Sequence, residues 1–296
     1  MNRLLSIEKP SHLFAIAEGT IATLIWASSF VLVKIGLAQV GPLTLAGLRY
    51  FLAALLLLPF TLRHADALRS LPPRVWFRLF LLGLSAYTLG NGAMFWAMKY
   101  LQAITASFLM NFIPLLVLFS GMFWLKEIPT RYQVIGVVVA LVGSAVFFSP
   151  GVGKSTLLGI GILAFGLLSF TAFSILGREI ARDQQTDTLT LTTLPLAFGG
   201  GLLLAIALPL EGLPTFSPPI LGMVFWLALI NTALAYLLYN HSLQVLTALE
   251  MNMLLNLSPL GTAGLAWLIL GERLTLVQAV GIVIVILGVS LVQWRR

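Results

Sequence analysis

The chain has 296 residues, 9% of them charged and 59% hydrophobic, and its mean hydropathy is +1.01. A soluble domain carries roughly 25% charged residues, and an aqueous core of this size cannot hide so much apolar surface, so a soluble globular fold is excluded. Cysteine is absent, which removes disulfide frameworks and thiolate chemistry. His12, His64 and His241 are too scattered to suggest a metal site, and no cofactor is expected.

A bilayer core about 30 Å thick needs roughly 20 apolar residues per helix. Ten such stretches follow one another at 13–35, 43–62, 75–98, 101–125, 131–149, 157–177, 188–209, 219–240, 245–270 and 275–293. The first holds Glu18, Trp26 and Ser29 and has no small-residue cleavage pattern, so it is expected to be a retained helix and not a signal peptide. The second holds Arg49, and the third holds Tyr87, Asn91 and Phe95. In the fourth, Ser107, Asn111 and Pro114 fall at i, i+4 and i+7 on one face. The sixth adds Ser169, Phe173 and Ser174, the eighth Thr232, Tyr236 and Asn240, and the ninth Glu250, Asn252, Asn256 and Pro259. Gly136 and Gly143 in the fifth, Gly199 to Gly201 in the seventh, and Gly281 and Gly288 in the tenth read as close helix contacts. A homodimer through such faces remains an alternative to a monomer.

Short Lys/Arg-rich loops stay cytoplasmic. Twelve of the 17 basic residues lie on the side of the N-terminus: Arg3, Lys9, Arg63, Arg69, Arg74, Arg78, Lys126, Arg131, Arg178, Arg182, Arg295 and Arg296. Lys34, Lys99, Lys154 and Arg273 lie opposite. Both termini are therefore expected in the cytoplasm. The same spread of charge over juxtamembrane loops argues for anionic lipid and against nucleic acid as the partner of a chain with net charge +7.

An internal repeat underlies the span count. Shifted by 145 residues, the segment starting at Leu101 matches that starting at Leu246 at thirteen of 43 positions without a gap. The matches include Asn111/Asn256, Pro114/Pro259, Glu127/Glu272, Thr130/Thr275, Gln133/Gln278, Gly136/Gly281 and Gly143/Gly288, which apolar composition alone does not produce. The expected organisation is five helices in 1–150 and five in 151–296. An odd number per repeat inserts the second copy upside down, an arrangement of secondary transporters with a site near the midplane.

The five-plus-five layout, "WASSFVLVK" in the first helix, "LRYFLAALLLL" in the second and the paired "N..P" and "E..T..Q..G" segments resemble the bacterial drug/metabolite transporter superfamily, and within it the EamA-type exporters. The resemblance implies export of small metabolites by alternating access, in the branch most similar to this chain aromatic and other neutral amino acids. Two departures stand out. The Gly-Glu-Arg turn at Gly271 occurs once, and Leu194 stands where the offset would repeat Arg49.

Polar groups in hydrocarbon are costly unless paired or wetted, so their positions mark the pathway. The candidate substrate site is Trp26, Ser29, Arg49, Tyr87, Asn91, Phe95, Ser107, Asn111, Ser169, Phe173, Tyr236, Asn240, Asn252 and Asn256. For each, a helix-bridging role competes with substrate contact. Arg49 either captures a substrate carboxylate or caps neighbouring carbonyls. Glu250 and Glu18 are candidates for proton coupling, against the alternative of wet surface acids. Pro114 and Pro259 are candidate hinges, against static kinks.

"PGVGKST" lacks the first glycine of a phosphate loop, Phe148 standing in its place, and no strand precedes it. An intramembrane enzyme is disfavoured because Asp66, Asp183 and Asp187 all fall in loops. A channel would not need inverted halves. The competing substrate for a transporter is a flat hydrophobic cation held by the same rings.

Overall fold

The structure, a computed structural model, describes residues 10–36, 39–63, 65–97, 100–101, 109–149, 156–183, 186–214, 217–258, 261 and 275–293. Every regular element among them is helical: α1 (His12–Gly36), α2 (Pro42–Leu62), α3 (Pro73–Ala97), α4 (Ile113–Trp124), α5 (Arg131–Phe148), α6 (Leu157–Asp183), α7 (Thr188–Glu211), α8 (Pro218–Ser242), α9 (Ala248–Leu255) and α10 (Leu276–Gln293). A five-residue helix, Ala65–Arg69, lies between α2 and α3. The helices α2, α3, α6, α7, α8 and α10 are each long and apolar enough to cross a membrane unaided. The 25 residues of α1 extend about 37 Å. Ser107, Pro259 and Glu272 lie outside the described residues.

Helix starts follow local chemistry. Thr130 and Gln133 form a capping box on α5, and the repeat-related Thr275 and Gln278 form the same box ahead of α10. Pro42, Pro73 and Pro218 open their helices at positions where a missing N–H costs nothing.

Repeat-related helices meet across the molecule and run antiparallel. The α2 start lies against the α7 end, where Glu211 accepts the N–H groups of Leu43 (3.1 Å) and Thr44 (2.8 Å). At the other end of the pair the Thr61 hydroxyl donates to Thr193 at 2.9 Å. The α5–α10 pair is closer still. A Cβ added to Gly136, Gly143, Gly281 or Gly288 would come within 2.6–2.7 Å of a backbone atom of the facing helix. Each identical glycine of the repeat thus serves contact between the repeats, and these faces are consumed inside one chain. The protein is an all-α membrane protein of ten helices in two inverted five-helix repeats.

The remaining packing obeys the same exchange. Helix α3 packs on α6 as α8 packs on α1, and α4 packs on α6 as α9 packs on α1. Helices α1, α2, α3, α6 and α8 thereby surround a common centre.

Candidate functional site

Two winding defects shape that centre. Leu84–Gly90 within α3 and Leu229–Leu234 within α8 are π-helical, and they begin 145 residues apart. A π turn releases backbone carbonyls from the α ladder and commonly marks a functional position. In α3 the Asn91 amide donates to the Ala86 carbonyl at 2.8 Å. In α8 the equivalent carbonyl, that of Asn231, accepts from Trp26 Nε1 and from Arg49 Nη2, both at 2.9 Å.

Arg49 is 8% exposed and uses all three guanidinium nitrogens: Nε donates to Thr232 Oγ1 at 2.7 Å, Nη1 to Ser29 Oγ at 2.8 Å, and Nη2 to Asn231. No carboxylate pairs with it among the described residues. Asn231 donates to the Ile25 carbonyl and to Ser28 Oγ, and its own buried Oδ1 has no partner among the described residues. Among the described residues the positive charge is thus held by neutral acceptors only. A buried cation of this kind attracts an anionic group that reaches it.

Six rings lie beside it. Trp26 meets Tyr236 edge-on with centroids 4.9 Å apart, Tyr87 meets Tyr236 at 5.3 Å, and Tyr50 lies 4.8 Å from Tyr87. Phe173 stacks on Tyr239 at 5.7 Å. The Tyr50 hydroxyl donates to Asn91 Oδ1 at 3.0 Å. Tyr87 and Tyr239 are fully buried, so the centre is occluded by its own rings.

Trp26, Ser29, Arg49, Tyr87, Asn91, Phe173 and Tyr236 are therefore brought together as the sequence suggests. Ser174, the repeat partner of Ser29, joins them to α9 by donating to Asn252 Oδ1 at 3.3 Å. Other candidates do something else. Asn240 donates to Thr192 of α7, Ser169 turns back onto the Phe165 carbonyl of its own helix, and Phe95 is half-buried against the apolar core.

Asn111 and Asn256 are buried at turns that interrupt the fourth and ninth helices at equivalent places. The Phe112 and Leu257 N–H groups there bond three residues back, to Leu109 and Leu254. Pro114 clashes with ordinary α winding at the carbonyl of Met110, which accounts for the first break. Discontinuous helices of this kind accompany midplane sites in transporters.

The two acids differ from each other. Glu250 is the third residue of α9: its carboxylate accepts from the Thr247 N–H at 2.8 Å while Thr247 Oγ1 accepts the Glu250 N–H at 3.1 Å, a capping box. His12 stands 3.7 Å from it. Glu18 is paired with His241 Nδ1 at 2.7 Å, both side chains being at most 4% exposed. Sequence reasoning missed Tyr50, Asn231, Tyr239 and His241. Asn231 carries the one available signal, an amide inside an apolar run.

On the side of the N-terminus the helices are laced by ions. Arg178 Nε bonds Glu127 Oε1 at 2.9 Å and its Nη1 bonds the Leu243 carbonyl at 2.6 Å, while Arg78 pairs with Glu179 at 3.0 Å and Asp183 at 3.6 Å.

Comparison with known proteins agrees with this architecture. The sequence pattern of the EamA-like transporter family matches residues 13–149 and, a second time, residues 157–294. An "uncharacterized transporter" of Archaeoglobus fulgidus is 28% identical over 280 residues, covering 92% of this chain and 95% of its own. The S-adenosylmethionine/S-adenosylhomocysteine transporter of Chlamydia muridarum is 26% identical over 260 residues, 84% of this chain and 81% of that one. One solved structure, described only as the crystal structure of a protein, superposes with a TM-score of 0.79 at 18% identity and covers 94% of this chain and 95% of its own, a likeness of fold.

Proposed function

We infer that this chain, which belongs to the EamA-like transporter family, exports small zwitterionic metabolites, foremost aromatic and other neutral amino acids. Repeats spanning 1–150 and 151–296 rock about the ring cluster to give alternating access, with both termini in the cytoplasm of a bacterial inner membrane. The observation that carries the reading is Arg49, a buried guanidinium with only neutral acceptors among the described residues, set against six rings. Its planar donors fit an α-carboxylate, and the rings offer a packing surface for an apolar or aromatic side chain. Asn91, Ser174 and Asn252 supply acceptors for the ammonium. Relatives named as transporters support a carrier over an enzyme.

A second substrate has a specific observation behind it. A sulfonium attached to an amino acid presents the same carboxylate and ammonium together with a soft cation suited to ring faces, and a relative is named for such a compound. Carboxylate-free hydrophobic cations fit less well, because Arg49 repels them and Glu18 is already paired.

The test is counterflow in proteoliposomes loaded with unlabelled phenylalanine, using labelled phenylalanine, tyrosine, leucine and S-adenosylmethionine outside and tetraphenylphosphonium as competitor. Saturable exchange of the zwitterions is expected. Absence of saturable exchange for every labelled zwitterion would overturn the assignment.

A further inference from the structure

The second repeat joins α7 to α8 through a ladder of amides and hydroxyls that the substrate site does not use. Asn240 and Gln244 follow Tyr236 at four-residue intervals, which sets them below it toward the N-terminal side. Asn240 Nδ2 donates to Thr192 Oγ1 at 3.0 Å, and Gln244 Nε2 donates to Thr188 Oγ1 at 2.9 Å. Thr192 gives its own proton to the Thr188 carbonyl at 2.7 Å. Its oxygen can therefore only accept, and the Asn240 amide cannot turn over without losing the bond. The fold does not require this set. The repeat offset puts Phe95, Lys99, Gly47 and Leu43 at the places equivalent to Asn240, Gln244, Thr192 and Thr188.

Each amide leaves its oxygen over. Asn240 Oδ1 and Gln244 Oε1 are buried without a hydrogen-bond partner among the described residues, and so is the hydroxyl of Thr186, two residues before Thr188 on the same strand of chain. A buried amide oxygen with no donor is costly, and both of these can only accept. Asn240 is 2% exposed and Gln244 6%, a depth that suits an ion or a water and not a metabolite. Water brings an oxygen that calls for donors in turn, whereas a cation needs acceptors alone. The end of α8 at Ser242 adds the partial negative charge of a helix C-terminus.

The charged groups around this seam have work of their own. On α1, Glu18 bonds His241 of α8; on α6, Arg178 binds Glu127 and the Leu243 carbonyl; on α7, Asp187 accepts from Thr190. Among the described residues no three His, Asp or Glu side chains converge. The seam thus offers neutral carbonyl and hydroxyl oxygens, which match a monovalent cation stripped of part of its water better than a divalent one.

We propose that Asn240, Gln244 and Thr186 bind an alkali cation, sodium foremost, that fastens α7 to α8 on the N-terminal side of the ring cluster. Water completes its shell. Asn240 stands one helical turn from Tyr236, so the bound ion stabilises the packed form of that side of the centre. The proposal is independent of the export reading, because no substrate enters it.

The test is thermal unfolding of the purified full chain in detergent without substrate, at one pH and one ionic strength, in chloride salts of sodium, potassium, ammonium and choline. The melting temperature in 100 mM sodium is expected to exceed that in 100 mM choline by about 3 °C or more, with a response that saturates in the millimolar range. Asn240→Leu and Gln244→Met keep side-chain size and remove the spare oxygen. In each, whatever its own melting temperature, the difference between sodium and choline is expected to vanish. A larger response to potassium or ammonium keeps the site and corrects the ion. Equal melting in all four salts means that water alone fills the seam and overturns the proposal, and a sodium response that persists undiminished in both variants does so as well, by placing the ion elsewhere. Phenylalanine counterflow reports the export reading separately, and its failure leaves this result untouched.

Discussion

Ala86 and Asn231 are equivalent residues of the two repeats, and the carbonyl at each place meets a different partner. Asn91 of the same helix takes the first, whereas Trp26 and Arg49 take the second. The duplicated backbone thus holds a single cation. Arg49→Lys keeps the charge but replaces a planar fork with a point donor. The expected result is a folded protein whose apparent affinity for phenylalanine in counterflow falls at least about tenfold, equivalent to about 1.4 kcal/mol. Unaltered affinity would leave Arg49 with packing alone.

The antiparallel α2–α7 pair is open to cross-linking, because the native chain has no cysteine. Thr61→Cys with Thr193→Cys is expected to form a disulfide under mild oxidation, since the two hydroxyls are 2.9 Å apart. Thr61→Cys with Ile206→Cys joins repeat-equivalent positions and is expected to stay reduced. A shift in gel mobility reads both.

At the α5–α10 contact a side chain has no space. Gly288→Leu would drive its Cβ into the backbone of Ala140, and overpacking of this kind costs about 1–3 kcal/mol. A lower melting temperature in detergent is expected, with substrate affinity unchanged in the protein that remains folded.

Arg178 ties α6 to the α4–α5 loop and to the end of α8. Arg178→Ala removes both ties and leaves Glu127 without the partner that the structure gives it. Faster maleimide labelling of Gln244→Cys at fixed pH is expected, whereas Arg78→Ala, which breaks a pairing between α3 and α6, is expected to change it less.

Much of this was legible in the sequence because apolar length and a repeated pattern report membrane helices directly. The identical Thr/Gln pairs prove to be caps and the identical glycines contacts, so the repeat announced how the halves start and meet. Glu250 was harder to place. Its ninth helix begins at Ala248, three residues later than hydropathy suggests, and Thr247 with Glu250 fits a capping pattern that the apolar flank obscures. The π turns left no trace, since α and π winding differ by hydrogen bonds and not by residue type. His241 was invisible for another reason. Its partner lies 223 residues away, on a helix of the other repeat.

The paired π turns carry one further implication. Each such turn spends about one residue more than α winding needs, and an omitted residue would swing all later side chains by about 100° around the helix axis. Asn91 directly follows the first turn, and Tyr236, its repeat equivalent, stands one residue beyond the second turn's neighbour Ala235. Their inward aim is thus owed to a single surplus residue in each copy, and a one-codon deletion in either turn would blind the centre from one side while leaving hydropathy and length almost untouched.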